Sequence, residues 1–182
     1  MTPAGRYPIA SLLVEVKDPA VISQLVELVT KEGKSPKTEF VGKSAKYILD
    51  KIGITVGDDV KVILMEAKED HPFVQVELMM PILPLVRVPD VDQAIEMAVR
   101  VEHGNRHTAM MHSRNVEKLT KMAKLIQTTI FVKNGPSYAG IGVGGEGYTT
   151  FTIAGPTGEG LTSAKSFARR RRCVLVGGMD VR

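Results

Sequence analysis

One acidic residue, Glu77, lies in an apolar stretch of the chain and is a candidate for ligand binding. His71-Pro72-Phe73 precedes it and Leu78-Met79-Met80-Pro81 follows it. A carboxylate in apolar surroundings needs a compensating partner, which could be the hydroxyl groups of a ligand or a donor within the protein. An ordinary surface carboxylate is an equally acceptable alternative. Glu77 is therefore a candidate binding residue with its partner left open.

Three histidines, His103, His107 and His112, fall close together in the chain. His103 and His107 are four residues apart, but Gly104 and Asn105 interrupt the helix between them, and no carboxylate stands where a zinc protease motif requires one. The pattern therefore predicts no metal site. A histidine that opens a strand at the edge of a parallel sheet is better placed for proton transfer or substrate contact, with a purely structural role equally open.

The glycine-rich segment Gly140-Ile141-Gly142-Val143-Gly144-Gly145 has the G-x-G-x-x-G spacing of a dinucleotide-binding turn. In such folds the glycines open a helix whose N-terminus holds a pyrophosphate. Here a strand pattern, Tyr148 to Ile153, follows the glycines, so no helix dipole would face a phosphate. The sequence favours a tight backbone loop near an active site over a dinucleotide turn.

Cys173 is the single cysteine of the chain and follows four arginines, Arg169 to Arg172. One cysteine cannot form an internal disulfide or a cysteine-rich metal site. The arginines would stabilise a thiolate, but a place at the start of an apolar strand is more typical of a buried structural cysteine. The net charge of +4 equals the charge of the arginine run. Such a run indicates either charges that keep an edge strand from pairing with other chains, or an interface. We therefore predict no nucleic-acid partner.

Hydrophobic periodicity predicts the elements that must position these candidates. The predicted elements are a strand at 9–16, a helix at 18–33, a loop at 34–38, a helix at 42–51, strands at 60–65 and 82–88, a helix at 90–103, a strand at 108–112, a helix at 115–127 capped by Ser113, strands at 128–133 and 148–153, a short helix at 162–168 and a strand at 173–176. Helices between short apolar strands imply parallel pairing with right-handed crossovers. The predicted fold is α/β, a parallel sheet with helices on both faces.

Composition limits the class of protein. The chain has 182 residues, of which 43% are hydrophobic and 24% charged, so it can bury the core of about one domain. Disorder, collagen and a coiled coil are excluded. The sequence holds no apolar run long enough to span a membrane and no pattern of a secretory signal. We therefore expect a cytoplasmic protein without a membrane partner.

Long blocks of sequence resemble one known family. The blocks are Phe40-Val41-Gly42-Lys43-Ser44-Ala45, Glu77-Leu78-Met79-Met80-Pro81, Glu102-His103-Gly104-Asn105-Arg106-His107-Thr108-Ala109, Ile130-Phe131-Val132-Lys133-Asn134-Gly135-Pro136-Ser137, Gly144-Gly145-Glu146-Gly147 and Pro156-Thr157-Gly158-Glu159-Gly160. Together they resemble the C-terminal part of CoA-acylating aldehyde dehydrogenases, the acetaldehyde and propionaldehyde enzymes of ethanolamine and propanediol utilisation. Many ungapped blocks in order make this resemblance specific.

The resemblance implies a two-stage mechanism, in which a cysteine thiolate adds to the aldehyde, hydride passes to NAD, and CoA removes the acyl group. Glu77 resembles the glutamate that hydrogen-bonds the nicotinamide ribose. His107 resembles the histidine facing the nucleophile, where it could assist proton transfer or acyl release. Asn134 and the loop with Gly144 and Gly145 resemble the wall of the acyl pocket. NAD, CoA as co-substrate, and a short-chain aldehyde are the implied ligands, in the cytoplasm or a bacterial microcompartment.

One departure from the family pattern limits what the chain can do alone. The family's nucleophilic cysteine and NAD-binding domain lie upstream of every matched block, and Cys173 aligns with the terminal strand instead. We therefore expect a divergent lead-in at 1–16, a partial catalytic domain at 17–168, and a C-terminal oligomerisation strand and tail at 169–182 that joins a homo-oligomer. The chain alone is not expected to turn over aldehyde. The alternative is a non-catalytic module that docks onto a full-length dehydrogenase or a microcompartment partner.

Overall fold

A computed structural model describes residues 12–145, 149, 161–174, 176 and 177. The chain divides into two compact units, Met1–Met97 and Ala98–Arg182. The described strands are β1 (Leu13–Glu15), β2 (Thr30–Lys31), β3 (Ser35–Pro36), β4 (Val62–Glu66), β5 (Ile82–Leu85), β6 (Thr108–Met111) and β7 (Ile130–Lys133). The described α-helices are α1 (Pro19–Val29), α2 (Ala45–Asp50), α3 (Pro72–Gln75), α4 (Val91–Val101) and α5 (Val116–Ile126).

Parallel sheets form in both units, which confirms the predicted α/β class. In the first unit the strand order is β1-β4-β5, and both pairings are parallel. In the second unit β6 pairs with β7 in parallel, with Thr108 opposite Ile130 and Met111 opposite Lys133. Parallel strands need a crossover between them, and α5 supplies it between β6 and β7.

The first helix, α1, follows the sequence signals closely. Asp18 is its N-cap, and its carboxylate accepts a hydrogen bond from the backbone N–H of Ala20 at 2.9 Å. Pro19 occupies the first turn, where no N–H is required. Leu25 and Val29 are fully buried on its inner face. Together with residues of α2 and β4 they form the core of the first unit.

The helix ends at Val29, earlier than predicted, because the chain turns into a hairpin. The loop predicted at 34–38 is in part strand β3, which pairs antiparallel with β2. Glu32 and Gly33 both have left-handed backbone angles, with φ of 51° and 70°. Two consecutive left-handed residues reverse the chain, and the N–H of Lys34 donates to the carbonyl of Lys31 at 3.0 Å across the turn. Gly33 therefore serves the hairpin turn and not the end of the helix.

Several boundaries in the second unit also differ from prediction. Asn115, and not Ser113, caps α5, because its side-chain oxygen accepts from the N–H of Lys118 at 3.1 Å. The hydroxyl of Ser113 accepts from the N–H of Asn115 at 3.0 Å and shapes the turn before the helix. Leu119, Met122 and Ile126 bury the inner face of α5, as the periodicity predicts.

The C-terminal part departs most from prediction. The helix predicted at 162–168 is a 3-10 helix, Ala164–Phe167. Cys173, Val174 and Val176 belong to no strand, so the predicted terminal strand is absent from these described positions. A strand forms only where its backbone pairs with a second strand. Most of the strand predicted at 148–153 lies outside the described residues. Among the described helices, none is long and apolar enough to cross a bilayer.

His71 gives the first unit a pH-sensitive contact. Its Nδ1 accepts the N–H of Phe73 at 3.1 Å and caps α3, and its ring meets the Phe73 ring edge-on at 5.2 Å. Burial lowers the pKa of His71 below its ordinary 6.5. Protonation would remove the accepting lone pair, so the folded state disfavours the protonated form.

We expect the free energy of unfolding to be largest above about pH 6.5 and to fall as the pH drops through the lowered pKa of His71, because the unfolded chain binds that proton more readily. His71→Asn keeps a capping side chain that does not titrate, so its stability should change less between pH 5 and 8. His71→Ala loses the cap and should be about 1 kcal/mol less stable at pH 8. Urea unfolding across this pH range measures both effects. Identical pH profiles for the wild type and His71→Asn would contradict the assignment.

Candidate functional site

Glu77 lies on the surface of the first unit, between α3 and β5. Its side chain is exposed, although the next residue, Leu78, is 95% buried in the core. Glu77 makes no hydrogen bond or ion pair with any other residue in the described part of the chain. Leu78 is therefore the neighbour that packs into the core, and the carboxylate of Glu77 stays in solvent. Of the two alternatives that the sequence left open, the structure has the surface carboxylate, whose two oxygens are free to accept hydrogen bonds from a ligand.

A cleft of about 630 Å³ borders the segment that follows Glu77. Met79, Met80 and Pro81 form one side, and the residues that begin α2 form the other. The two sides are joined by a hydrogen bond from the N–H of Gly42 to the carbonyl of Met79, at 3.0 Å. Met79 is left-handed, with φ of 53°, and its side chain stays 59% exposed. Such backbone strain in a non-glycine residue is typical of ligand-binding segments.

Three lysines give this cleft a positive charge. Lys43, Lys46 and Lys61 line it, with Asp58 as the one acidic lining residue. Lys46 Nζ pairs with Asp58 Oδ1 at 2.9 Å, and this contact raises the pKa of Lys46 and lowers that of Asp58. Lys61 Nζ donates to the carbonyl of Asp58 at 2.6 Å. The net charge of the lining suits an anionic group such as a phosphate.

His107 lies in the second unit, at the point where β6 begins. Its carbonyl accepts from the N–H of Ile130 at 3.1 Å, and the carbonyl of Arg106 accepts from Thr129 at 2.8 Å, so the backbone is attached to β7. Its imidazole is exposed. The Nδ1 atom lies 2.7 Å from Thr108 Oγ1. The predicted start of the strand at Thr108 is confirmed, and His107 comes directly before it, at the amino end of β6.

The loop before His107 is held in an unusual conformation. His103, Gly104 and Arg106 all have positive φ angles, of 56°, 76° and 52°. Glu102 holds the loop, because its carboxylate accepts from the N–H of Arg106 and its carbonyl accepts from the N–H and the side chain of Asn105. The loop positions His107 through these contacts.

Asn134 follows β7, and its side chain is occupied by the backbone. Its Oδ1 accepts from the N–H of Ser113 at 2.7 Å, and its Nδ2 donates to the carbonyl of Ser113 at 2.9 Å. Because β6 and β7 are parallel, His107 lies at the amino ends of the two strands and Asn134 at their carboxyl ends, roughly 15 Å apart along the strand direction. The structure does not bring these two residues together, and it favours a structural role for Asn134.

The remaining candidates, Gly144, Gly145 and Cys173, form no catalytic cluster with other described residues. Gly144 is left-handed, with φ of 71°, and a Cβ on Gly145 would lie 2.7 Å from the carbonyl oxygen of Ala139, so this loop requires glycine at both positions. Cys173 is exposed, which corrects the expectation of a buried strand cysteine. Across the described residues, no three histidine, cysteine or acidic side chains lie close enough to hold a metal ion.

Parallel strands joined by helices define an α/β fold, which presents an exposed acid, Glu77, in the first unit and an exposed histidine, His107, in the second. A profile of the aldehyde dehydrogenase family matches residues 60–158, more than half of the chain. The chain belongs to the aldehyde dehydrogenase family.

Individual relatives refine this comparison. A propanal dehydrogenase (CoA-propanoylating) from Salmonella typhimurium is 52% identical over 165 residues, which are 90% of this chain and 35% of that protein. A solved propionaldehyde dehydrogenase from Rhodopseudomonas palustris, with bound CoA and an acylated cysteine, matches with a TM-score of 0.85 and 67% identity over 96% of this chain and 40% of that chain. A propionaldehyde dehydrogenase from a Clostridium phytofermentans fucose utilisation microcompartment matches at 0.80 and 46%, over 94% and 39%.

The chain thus spans about a third of the length of such relatives. The sequence predicts Glu77 and His107 as candidates, but it does not indicate the lysine-lined cleft, the Glu102 contacts or the hydrogen bond between Thr108 and His107. The cleft joins segments that are distant in sequence, so no local pattern could reveal it. Glu102 and Thr108 both lie in a block that carries the family resemblance, and that proximity to His107 was the available signal.

Proposed function

We propose that this chain is the C-terminal catalytic-domain portion of an NAD-dependent, CoA-acylating aldehyde dehydrogenase that acts on short-chain aldehydes. The observation that carries the proposal is 52% identity to a CoA-propanoylating propanal dehydrogenase along 90% of the chain. The CoA bound to the Rhodopseudomonas relative supports CoA as the acyl acceptor. The microcompartment source of another relative supports such a compartment, within the cytoplasm, as its location.

Glu77 is suited to bind NAD because its carboxylate is a hydrogen-bond acceptor and is exposed to solvent. Its exposed carboxylate has no partner among the described residues, so it can accept hydrogen bonds from ribose hydroxyls. The neighbouring cleft offers ammonium groups of Lys43 and Lys61 to a phosphate. NAD, when bound, supplies the hydride acceptor. Glu77 fixes the orientation of the ribose, and the lysines neutralise charge beside it.

His107 is the proposed base for acyl transfer. An exposed imidazole at the start of β6 can accept the thiol proton of CoA, so that the thiolate sulfur attacks the acyl thioester. The acyl group passes to the CoA sulfur, and the enzyme cysteine leaves as a thiolate. We place that cysteine in the part of the relatives that this chain does not span. The one cysteine of this chain, Cys173, lies beyond the blocks that carry the family resemblance.

An interaction module is the second candidate function, and the exposed C-terminal segment favours it. Phe167, Val174 and Val176 are 69%, 69% and 89% exposed, beside the arginine run 169–172. Exposed apolar side chains that lie close together are typical of a surface that contacts another subunit. The same segment would serve homo-oligomerisation of a dehydrogenase.

A chimera tests the catalytic proposal. This chain replaces the segment that it matches in the Salmonella propanal dehydrogenase, and reduction of NAD is measured with propanal and acetaldehyde, with and without CoA. We expect the chimera to be active and dependent on CoA, and the 182-residue chain alone to be inactive. A folded but inactive chimera would contradict the proposal. Activity of the chain alone that Cys173→Ala abolishes would show that the nucleophile is Cys173.

A further inference from the structure

The contact between His107 and Thr108 gives one imidazole nitrogen a fixed partner. His107 Nδ1 and Thr108 Oγ1 are 2.7 Å apart, the distance of a good hydrogen bond. Nε2 makes no hydrogen bond with any residue that the structure describes. The two ring nitrogens are therefore in different environments, one held by the protein and one open to a ligand.

Thr108 is well suited to hold the imidazole. It is the first residue of β6 and lies opposite Ile130 of β7, so its backbone is fixed by the sheet. The Thr108 side chain is partly buried, and a β-branched side chain has few χ1 rotamers available. The hydroxyl oxygen can accept a hydrogen bond from Nδ1–H. A flexible or unbranched donor or acceptor would hold the ring less firmly.

The tautomer decides whether His107 can act as a base. If Nδ1 carries the proton and donates its hydrogen bond to Thr108, Nε2 has a lone pair that can accept another proton. If Thr108 donates to Nδ1 instead, Nε2 carries a proton and cannot accept another from a thiol. We propose that Thr108 is a positioning residue that accepts the Nδ1–H hydrogen bond and leaves Nε2 free to take the thiol proton of CoA. This proposal rests on the proposed function of His107.

Nitrogen-15 NMR of the 182-residue chain at pH 8 tests the tautomer directly, with His107→Gln to assign the resonances. We expect the Nδ1–H form to dominate in the wild type and in Thr108→Ser. In Thr108→Val, which is similar in shape but lacks the hydroxyl, the ratio of Nδ1–H to Nε2–H should fall about fivefold, the effect of one net hydrogen bond.

Two outcomes would overturn the proposal: a wild type in which Nε2–H dominates, or a Thr108→Val ratio equal to that of the wild type. If circular dichroism shows that Thr108→Val is unfolded, Thr108→Ala removes the same hydroxyl without a branched replacement. The NMR result does not depend on catalysis. Failure of the proposed function is seen separately, as full acyl-transfer activity of the chimera after His107→Ala.

Discussion

Leu25→Ala is expected to lower the free energy of unfolding by about 2–5 kcal/mol. Leu25 is 0% exposed and belongs to the core cluster of the first unit, together with Ile48 and Leu49 of α2 and Ile63 of β4. Removing three carbon atoms loses their transfer from water and leaves a cavity that neighbours from two helices and a strand cannot all fill. Urea unfolding followed by circular dichroism measures the loss.

Leu25→Met is the matched control, because it nearly conserves volume and should cost less than about 1.5 kcal/mol. An exposed leucine in a helix of the second unit, Leu125, is a further control, since it is 49% exposed and its replacement by alanine should change stability less. Equal losses for Leu25→Ala and Leu125→Ala would show that the core of the first unit is not formed as described.

The elements that could be predicted from sequence are those whose local signals agree. Asp18 and Pro19 begin α1 where the helical spacing of apolar residues also begins. Between β6, α5 and β7 the spacing of apolar residues changes from that of a strand to that of a helix and back. The hairpin of β2 and β3 was missed because Gly33 has two uses, as a helix stop and as a turn residue. The choice between them depends on which strand is available to pair, and that is tertiary information.

The candidate site was predicted in its residue types but not in its arrangement. Local hydrophobicity placed Glu77 among apolar neighbours, but which side of the chain faces the core is decided by the packing of Leu78. The separation of His107 and Asn134 could have been deduced, because one precedes its strand, the other follows its own, and the strands are parallel. The lysine cleft could not, because it depends on the contact of Gly42 with Met79.

In the chimera, His107→Ala is expected to slow steady-state turnover by roughly 10²–10⁴-fold while the first turnover of NADH formation keeps its rate. The reason is that the proposed base acts after hydride transfer, when the CoA thiol must lose a proton before it can attack the acyl-enzyme. Rapid mixing of the chimera with propanal, NAD and CoA should show a burst of NADH with an amplitude near one per active site, followed by a slow phase.

Glu77→Ala is the contrasting variant, because a residue that orients the ribose acts on hydride transfer. It should slow the burst itself and raise the concentration of NAD needed to reach it, with no separate slow phase. The two variants therefore divide the reaction at the acyl-enzyme, one on each side. If His107→Ala abolished the burst as well, His107 would act on the nucleophile or the aldehyde, and its role as the base for CoA would be wrong.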